Sequence, residues 1–217
     1  MQIMLWLLIG GAIASPTWND LIDEKNWSLH KVVSRRNVGE ISVYKKLIDN
    51  FPCYKGEGVV QGVSAESLLS IAIDAESATK WSSANVIDAK TLANSPITVD
   101  YFQYIDVPLF SDRFWFLRGN IIRSEDTIVF HWDRLEQGGP HMGFYSEITN
   151  KYPNAIEPPL NVGGWYFKGD QTSLRMKYLI CTHPGGSVPK GLQSIGTAQT
   201  LPNNLEDLYK EAIRRGK

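Results

Sequence analysis

The chain has 217 residues, with 22 Lys and Arg against 23 Asp and Glu residues and a formal net charge of −1. That length fits one domain, or at most two small ones, with a substantial core. The hydrophobic fraction of 43% and the charged fraction of 21% exclude a disordered tail, a coiled coil and a multi-span membrane protein. Because there is no excess of positive charge to bind phosphates, we expect no nucleic-acid partner. Seven Trp, nine Tyr and eight Phe residues make a surplus of aromatic side chains.

The N-terminal segment, residues 1–14, carries no charged side chain. Its apolar run, Ile3–Ala14, is shorter than the roughly 20 residues that a membrane-spanning helix needs, but it has the length of a signal-peptide core. An Ala-Ile-Ala triplet precedes Ser15 and matches a small-x-small cleavage site. We therefore predict a signal peptide over residues 1–14 and export, either periplasmic or secreted. The segment lacks Lys and Arg, and the alternative is a buried or membrane-surface helix in a soluble or membrane-associated protein.

The two cysteines, Cys53 and Cys181, are compatible with one disulfide in an oxidising compartment. Nothing in their spacing demands that disulfide, and they form no C-x-x-C pair. We predict two unpaired thiols in the core.

The first half of the chain predicts a helix, a hairpin, a third strand and two further helices, in that order. These elements are placed at Thr17–Trp27, Leu29–Val33 with Ile41–Tyr44, Tyr54–Val63, a helix opening at Ser64–Ser67 and a short helix ending near Trp81. Ser64 and Ser67 are the candidate caps of the second helix, and the apolar residues from Leu68 to Ile73 form its buried side.

The second half predicts a succession of strands joined by short turns, which implies an antiparallel meander. The strands are placed at Val86–Leu92, Ile97–Ile105, Arg113–Ser124, Thr127–Leu135, Gly163–Lys168 and Ser173–Cys181. The longest irregular stretch, Gln137–Val162, is expected to be a functional or mobile loop.

A long C-terminal helix is predicted from apolar residues that recur at helical spacing between Val188 and Ala212. Pro189 suits its first turn, whereas Pro202 is expected to kink or divide it. Residues 17–217 are thus predicted to be one α+β domain with about nine strands. One large antiparallel sheet would curl around the terminal helix and leave a cavity between them.

Two stretches of the sequence resemble the START (steroidogenic acute regulatory protein-related lipid transfer) family. They are Tyr101–Arg118, YFQYIDVPLFSDRFWFLR, and Cys181–Leu201, CTHPGGSVPKGLQSIGTAQTL. The first is similar to an aromatic strand, a Pro-containing loop and a second aromatic strand ending near an Arg. The second is similar to a Pro-Gly-Gly-x-x-Pro turn leading into the C-terminal helix. The chain departs from the family pattern at Asp112-Arg113, where the family commonly has Arg-Asp.

This resemblance implies the helix-grip fold and a tunnel that holds one lipid, such as a sterol, a phospholipid or a fatty-acyl molecule. The C-terminal helix and the loop Asp106–Ser111 would gate the tunnel. The implied role is lipid transfer between membranes by a monomer with transient membrane contact, no cofactor and no catalytic residue. The alternative is an enzyme similar to polyketide cyclases and aromatases, with Asp100, Tyr104 or His131 as its acid or base. A weaker third hypothesis is a regulatory domain that senses a lipid.

Arg118 is the first candidate binding residue, because the resemblance implies an Arg that faces the cavity. Alternation places Phe114, Phe116 and Arg118 on one face of their strand. A buried charge needs a partner, and Asp100 on the preceding strand is the candidate. The alternative is that Arg118 lies at a strand end and reaches solvent.

The other candidate wall residues are aromatic side chains of strands and apolar side chains of the terminal helix. They are Phe102, Tyr104, Phe114, Phe116, Trp132, Trp165 and Phe167 on strands, with Leu192, Ile195 and Leu205 on the helix. For any one of these residues, ordinary core packing explains its burial as well as ligand contact does.

The four histidines, His30, His131, His141 and His183, are scattered without the spacing of a metal site. We expect no bound metal, and we expect His141 and His183 to be solvent-exposed loop residues. The sequence contains no P-loop, dinucleotide or G-x-S-x-G motif.

Overall fold

A computed structural model of the chain describes residues 15–186 and 190–216, without the side chains of residues 190–197. The strands are β1 (Ser28–Arg35), β2 (Gly39–Ile48), β3 (Phe51–Val60), β4 (Val86–Asn94), β5 (Thr98–Ile105), β6 (Arg113–Arg123), β7 (Thr127–Arg134), β8 (Leu160–Asp170) and β9 (Ser173–His183). The helices are α1 (Trp18–Ile22), α2 (Ala65–Ala72), α3 (Ala78–Trp81), α4 (Met142–Lys151) and α5 (Lys190–Arg215). The predictions for residues 1–14, Val188 and Pro189 fall outside the described residues, as do those for the side chains of Leu192 and Ile195.

The nine strands form one antiparallel sheet in the order β1-β2-β3-β9-β8-β7-β6-β5-β4. Strands β4 to β9 follow one another as the predicted meander, and the pairing of β3 with β9 joins the N-terminal strands to them. The helix α5 packs against β3, β9 and α2. The predicted α+β helix-grip architecture, with two short helices after the third strand, is confirmed.

Alternation along the strands divides the apolar residues between the two faces of the sheet. Tyr54 and Ile180 belong to the main core, which faces α5, whereas their neighbours Cys53 and Leu179 pack with Leu21 of α1. Both faces of the sheet are therefore covered, the concave face by α2, α3 and α5 and the outer face by α1 and α4.

The helix α2 begins at the predicted caps. The Ser64 side chain accepts a hydrogen bond from the Ser67 backbone N–H at 3.1 Å, and the Ser67 side chain accepts one from the Ser64 backbone N–H at 3.2 Å. This capping box satisfies two N–H groups that the first turn leaves free. Leu68, Leu69 and Ile71 then bury the inner side of α2 against the core.

The helix α1 ends at Ile22 rather than at the predicted Trp27. Its last carbonyl groups have partners outside the helix, because the Lys46 ammonium donates to the backbone oxygens of Asp20 and Asp23 at 2.8 and 3.1 Å. The Trp27 indole N–H also donates to the Asp23 oxygen, at 3.0 Å. These bonds stabilise a helix of little more than one turn.

The stretch Gln137–Val162 is not the irregular loop that was predicted, because it contains α4. A short 3₁₀ segment, Glu136–His141, precedes α4, and within it Gly138 and Gly139 adopt positive φ angles of 76° and 53°. These glycines and Pro140 obscure the start of the helix in the sequence. Within α4 only Ile148 is buried, so the apolar periodicity is weak.

The helix α5 is not divided at Pro202 but continues through it to Arg215. A proline inside a helix removes one backbone hydrogen bond and costs about 3 kcal/mol. Leu201, Leu205 and Leu208 lie on both sides of the proline and are fully buried against the core. This burial offsets the cost and holds the helix on the sheet.

The prediction of two free thiols is wrong, because Cys53 and Cys181 form a disulfide. The two residues lie directly opposite each other in the β3–β9 ladder, with Cα atoms 4.3 Å apart. The pairing depends on the register of two strands that are 128 residues apart in the chain. Nothing in the sequence specifies that register.

Candidate functional site

A cavity of about 360 Å³ lies between the concave face of the sheet and the helices α2, α3 and α5. Ile71 of α2, Trp81 of α3 and Leu201 of α5 line its helical side. Val107, in the loop between β5 and β6, lines it as well. The volume falls within the range of small-molecule binding sites.

The sheet side of this cavity is an aromatic wall. It consists of Tyr101, Trp115, Phe130, Trp132, Trp165 and Tyr178. The Tyr178 ring centroid is 4.4 Å from that of Trp165 and 5.9 Å from that of Trp132, so these rings hold one another in place. The wall offers a large apolar surface of fixed shape.

The polar groups of the lining are almost all uncharged. Burial raises the pKa of the Tyr101 and Tyr178 phenols, which therefore remain protonated at neutral pH. Asn161 accepts a hydrogen bond from the Trp132 indole N–H at 3.0 Å. Among the described lining residues the one charged side chain is Asp74, and it pairs with Arg215 at 2.9 Å. The cavity is therefore suited to an uncharged, largely apolar molecule.

No protein-family model and no curated protein matches the sequence, but solved structures match the fold. The STAR-related lipid transfer protein of Xanthomonas axonopodis (fragment 25–204) superimposes with a TM-score of 0.70 at 19% identity, covering 86% of this chain and 98% of that one. Human STARD10 gives a TM-score of 0.71 at 18% identity over 94% of this chain and 83% of its own. Human StAR-related lipid transfer protein 5 gives 0.68 at 17% identity over 90% of each chain.

The chain has the START helix-grip fold. The superpositions show the fold alone, because the sequence identities are below 20%.

The structure brings only some of the predicted wall residues to the START cavity. Trp132 and Trp165 line it. Phe167 is buried in the same core and stacks on Trp165 with ring centroids 6.0 Å apart, but it is not among the lining residues. Leu205 packs in the core under the helix.

Four predicted wall residues lie on the opposite face of the sheet. They are Phe102, Tyr104, Phe114 and Phe116, and they form a separate aromatic cluster with α4. The prediction that these residues share one face of the sheet is correct. The prediction that this face lines the cavity is wrong. In β5 and β6 both faces are buried, so alternation identifies which residues share a face and cannot identify the inner one. The residues at the alternate positions of these two strands, among them Tyr101 and Trp115, face the cavity.

Arg118 and Asp100 form the predicted ion pair, with two hydrogen bonds of 2.7 and 2.6 Å between guanidinium and carboxylate. The Arg118 guanidinium lowers the pKa of the Asp100 carboxyl group. The pair also belongs to the outer face, and neither residue is among those lining the cavity. His141 Nε2 lies 2.8 Å from the second Asp100 oxygen, so Asp100 anchors the segment that precedes α4.

The two histidines that were predicted to be exposed loop residues are both partly buried, and His183 is the last residue of β9. The His141 side chain is 18% exposed because it contacts Asp100. His183 is half-buried, and its Nδ1 accepts a hydrogen bond from the Gly185 backbone at 3.1 Å. His131 stacks on Trp18 of α1 with ring centroids 5.0 Å apart, and burial lowers its pKa.

Arg113 connects the loop between β5 and β6 with the turn that follows β9. It is 3% exposed and donates hydrogen bonds to the backbone oxygens of Ser111, Pro184 and Gly185. Those oxygens belong to the end of the loop Asp106–Ser111 and to the turn before α5. Asp112 turns outward, where it accepts hydrogen bonds from the Tyr104 hydroxyl at 2.6 Å and from the Val107 N–H at 3.1 Å.

The substitution Arg113→Gln is expected to lower the free energy of unfolding by about 1–2 kcal/mol, because a Gln side chain cannot donate to all three carbonyl groups that Arg113 contacts. Amide hydrogen exchange should accelerate in residues 106–112 and 183–186. The matched control is Arg175→Gln at a side chain that is 57% exposed, where a change below about 0.5 kcal/mol is expected. Wild-type stability together with unchanged exchange in both segments would contradict this role.

Proposed function

We propose that the protein binds one lipid molecule in the START cavity and carries it between membranes without chemical conversion. The observation that carries this proposal is the aromatic cavity beneath α5. Among the described lining residues one side chain is charged, Asp74, and it is paired with Arg215. Transfer of a lipid chain into such a cavity gains about 0.8 kcal/mol per buried methylene, so binding needs no catalytic group. Two of the similar solved structures are named lipid transfer proteins, which supports the same conclusion.

An enzymatic role receives less support from the geometry. The groups considered for acid–base catalysis were Asp100, Tyr104 and His131, and none of them is among the residues lining the cavity. The Asp100 carboxylate accepts a hydrogen bond from Arg118 and lies within hydrogen-bonding distance of His141 Nε2. The Tyr104 hydroxyl donates to Asp112. We therefore propose lipid binding and do not argue a reaction.

Access to the cavity is proposed to occur at the loop Asp106–Ser111 and α5. The loop carries two exposed apolar side chains, Leu109 at 99% and Phe110 at 39% exposure. Exposed apolar residues at a cavity entrance are suited to a brief, hydrophobic contact with a bilayer. Among the described helices, none is long and apolar enough to span a membrane.

We further propose that the protein is exported after cleavage of residues 1–14. The Cys53–Cys181 disulfide supports this proposal, because disulfides persist in oxidising compartments. Mass measurement of the protein from its native source should give the mass of residues 15–217 less two hydrogens. The full-length mass with two free thiols would contradict export.

Native mass spectrometry after mild extraction tests binding, and movement of labelled lipids between vesicles tests transfer. A co-purified lipid and accelerated transfer are the expected results. Ala84→Trp, at a half-buried residue that lines the cavity, should reduce both severalfold. Ser83→Trp, at the neighbouring exposed residue, is the matched control and should leave both unchanged. A protein that carries no lipid and fails to accelerate transfer would refute the proposal.

A further inference from the structure

A depression of about 430 Å³ lies on the outer face of the sheet, beside the part that α1 covers. Its lining consists of Val59 of β3, Tyr166 and Lys168 of β8, and Ser173, Arg175 and Lys177 of β9. Leu179 and Cys181 pack with α1, and the alternate positions of β9 continue on the same face of the sheet. This outer-face depression and the START cavity are therefore on opposite sides of the sheet.

Every polar side chain that lines the outer-face depression can donate a hydrogen bond. Three of them are the cations Lys168, Arg175 and Lys177, and two are the hydroxyl groups of Tyr166 and Ser173. Among the residues that the structure describes, neither hydroxyl group has a hydrogen-bond partner. The described lining contains no carboxylate, so these groups together call for a ligand with several acceptor oxygens and a negative charge.

The cations are placed where they repel one another. Lys168 lies directly opposite Arg175 in the β8–β9 ladder, and such like-charge pairs are destabilising. The nearest acids do little to offset this repulsion. Asp126 is 3.5 Å from Lys168 and Glu57 is 3.4 Å from Arg175, both longer than the roughly 2.7–2.9 Å of a charge-assisted hydrogen bond. The side chains of Lys168 and Arg175 are 51% and 57% exposed, so a ligand can reach both.

Lys177 is held in place more firmly than the other two cations. Its Nζ atom donates to the Glu24 carboxylate at 2.7 Å and lies 5.2 Å from the centroid of the Tyr166 ring. Its side chain is only 11% exposed. Lys177 therefore contributes a fixed positive charge at one side of the depression, while Lys168 and Arg175 provide the free donors.

A phosphate monoester matches this set of donors. It carries a charge of about −1.5 to −2 at pH 7 and three acceptor oxygens, whereas a carboxylate has one charge and two oxygens. An Arg side chain can bind two phosphate oxygens at once. Val59 lies directly opposite Arg175 in the β3–β9 ladder and is 49% exposed, so it offers an apolar contact to the carbon atoms of the ester.

We propose that the outer-face depression binds the phosphate group of a phosphate monoester. Arg175 and Lys168 donate to its oxygens, and the Tyr166 and Ser173 hydroxyl groups donate to those that remain. The monoester can be a soluble metabolite or the headgroup of a lipid in a membrane. This site does not depend on the lipid-binding function proposed for the START cavity.

The first experiment is isothermal titration calorimetry of the unmodified protein with glycerol 3-phosphate and with acetate. Saturable binding of glycerol 3-phosphate, at least tenfold tighter than that of acetate, is the expected result. Equal affinity for the two anions would overturn the assignment of phosphate.

The second experiment separates the two sources by sedimentation with phosphatidylcholine vesicles that contain either phosphatidic acid or phosphatidylglycerol. Phosphatidic acid is a phosphate monoester, and phosphatidylglycerol is a diester that controls for general charge attraction. Binding to the phosphatidic acid vesicles alone, reversed by glycerol 3-phosphate, would support a lipid headgroup. Binding of glycerol 3-phosphate without vesicle binding would support a soluble ligand. Equal binding to both kinds of vesicle, or no binding of any phosphate probe, would overturn the proposal.

A double variant assigns the binding to the outer-face depression. Lys168→Gln with Arg175→Gln replaces two exposed side chains, so the protein should remain folded while its affinity for glycerol 3-phosphate falls at least tenfold. Lys80→Gln, at an exposed residue of α3, is the matched control and should change that affinity less than twofold. Wild-type affinity in the folded double variant would overturn the site. Transfer of phosphatidylcholine between vesicles should be equal in both variants, because the START cavity is unchanged.

Discussion

Loss of the Cys53–Cys181 disulfide is expected to lower the free energy of unfolding by about 3–5 kcal/mol. The bond connects residues 128 positions apart and therefore closes a long loop in the unfolded chain. It also joins β3 to β9, the pairing that connects the β1–β3 strands to the other strands of the described sheet. The measurement is urea unfolding with and without a reducing agent.

The double variant Cys53→Ser, Cys181→Ser is the control for the reductant. It should show the stability of the reduced wild-type protein and no further response to reduction. Cysteines that react fully with a thiol reagent before reduction, with a midpoint insensitive to reductant, would contradict the disulfide.

The substitution Gly56→Val is expected to lower the free energy of unfolding by about 3 kcal/mol, because the side chains of α5 pack directly against this glycine of β3. A Cβ atom at position 56 would lie 1.9 Å from Leu201 Cδ2 and 2.9 Å from Leu205 Cδ1. Leu205 is fully buried in the core and has little room to move aside, whereas Leu201 borders the cavity. The added side chain should therefore push α5 away from the sheet. Urea unfolding measures the loss, and faster release of bound lipid should accompany it.

A double-mutant cycle separates this clash from a general effect on the strand. Leu201→Ala in the Gly56→Val background should recover part of the lost stability, since it removes the atoms that are contacted. Gly143→Ala on α4 is the control, because a Cβ atom there would have nothing within 4 Å. If Gly56→Val unfolds at the wild-type midpoint, or if the two substitutions are simply additive, then α5 does not pack as described.

The architecture was predictable because its signals are local. The strands from β4 to β9 alternate and are separated by recognisable turns, so the meander follows without knowledge of long-range contacts. The helix α2 likewise follows from Ser64, Ser67 and the apolar residues after them. The similarity of Tyr101–Arg118 and Cys181–Leu201 to the START family indicated how these elements assemble.

The inner lining of the cavity was less predictable, because the sequence does not show which face of each central strand points into the cavity. Phe102 and Trp115 look alike in sequence, yet one lies under α4 and the other in the cavity, because both faces of the central strands are apolar. Asn204 of α5 lines the cavity, but the sequence did not indicate this, since a polar residue on an amphipathic helix is expected to face solvent.

The proline within α5 interrupts the backbone hydrogen-bond ladder of the covering helix at one point. Since Pro202 has no N–H, the carbonyl group of Ala198 lacks its usual helical partner there. Beyond this point, Asn203 accepts a hydrogen bond from Arg35 at 2.7 Å, Glu206 one from Asn37 at 2.7 Å, and the Tyr209 hydroxyl donates to Gln61 at 3.0 Å. The trailing turns of α5 are therefore tied to the β1–β2 hairpin and to the segment before α2, so unfolding of that hairpin would also release the end of the helix.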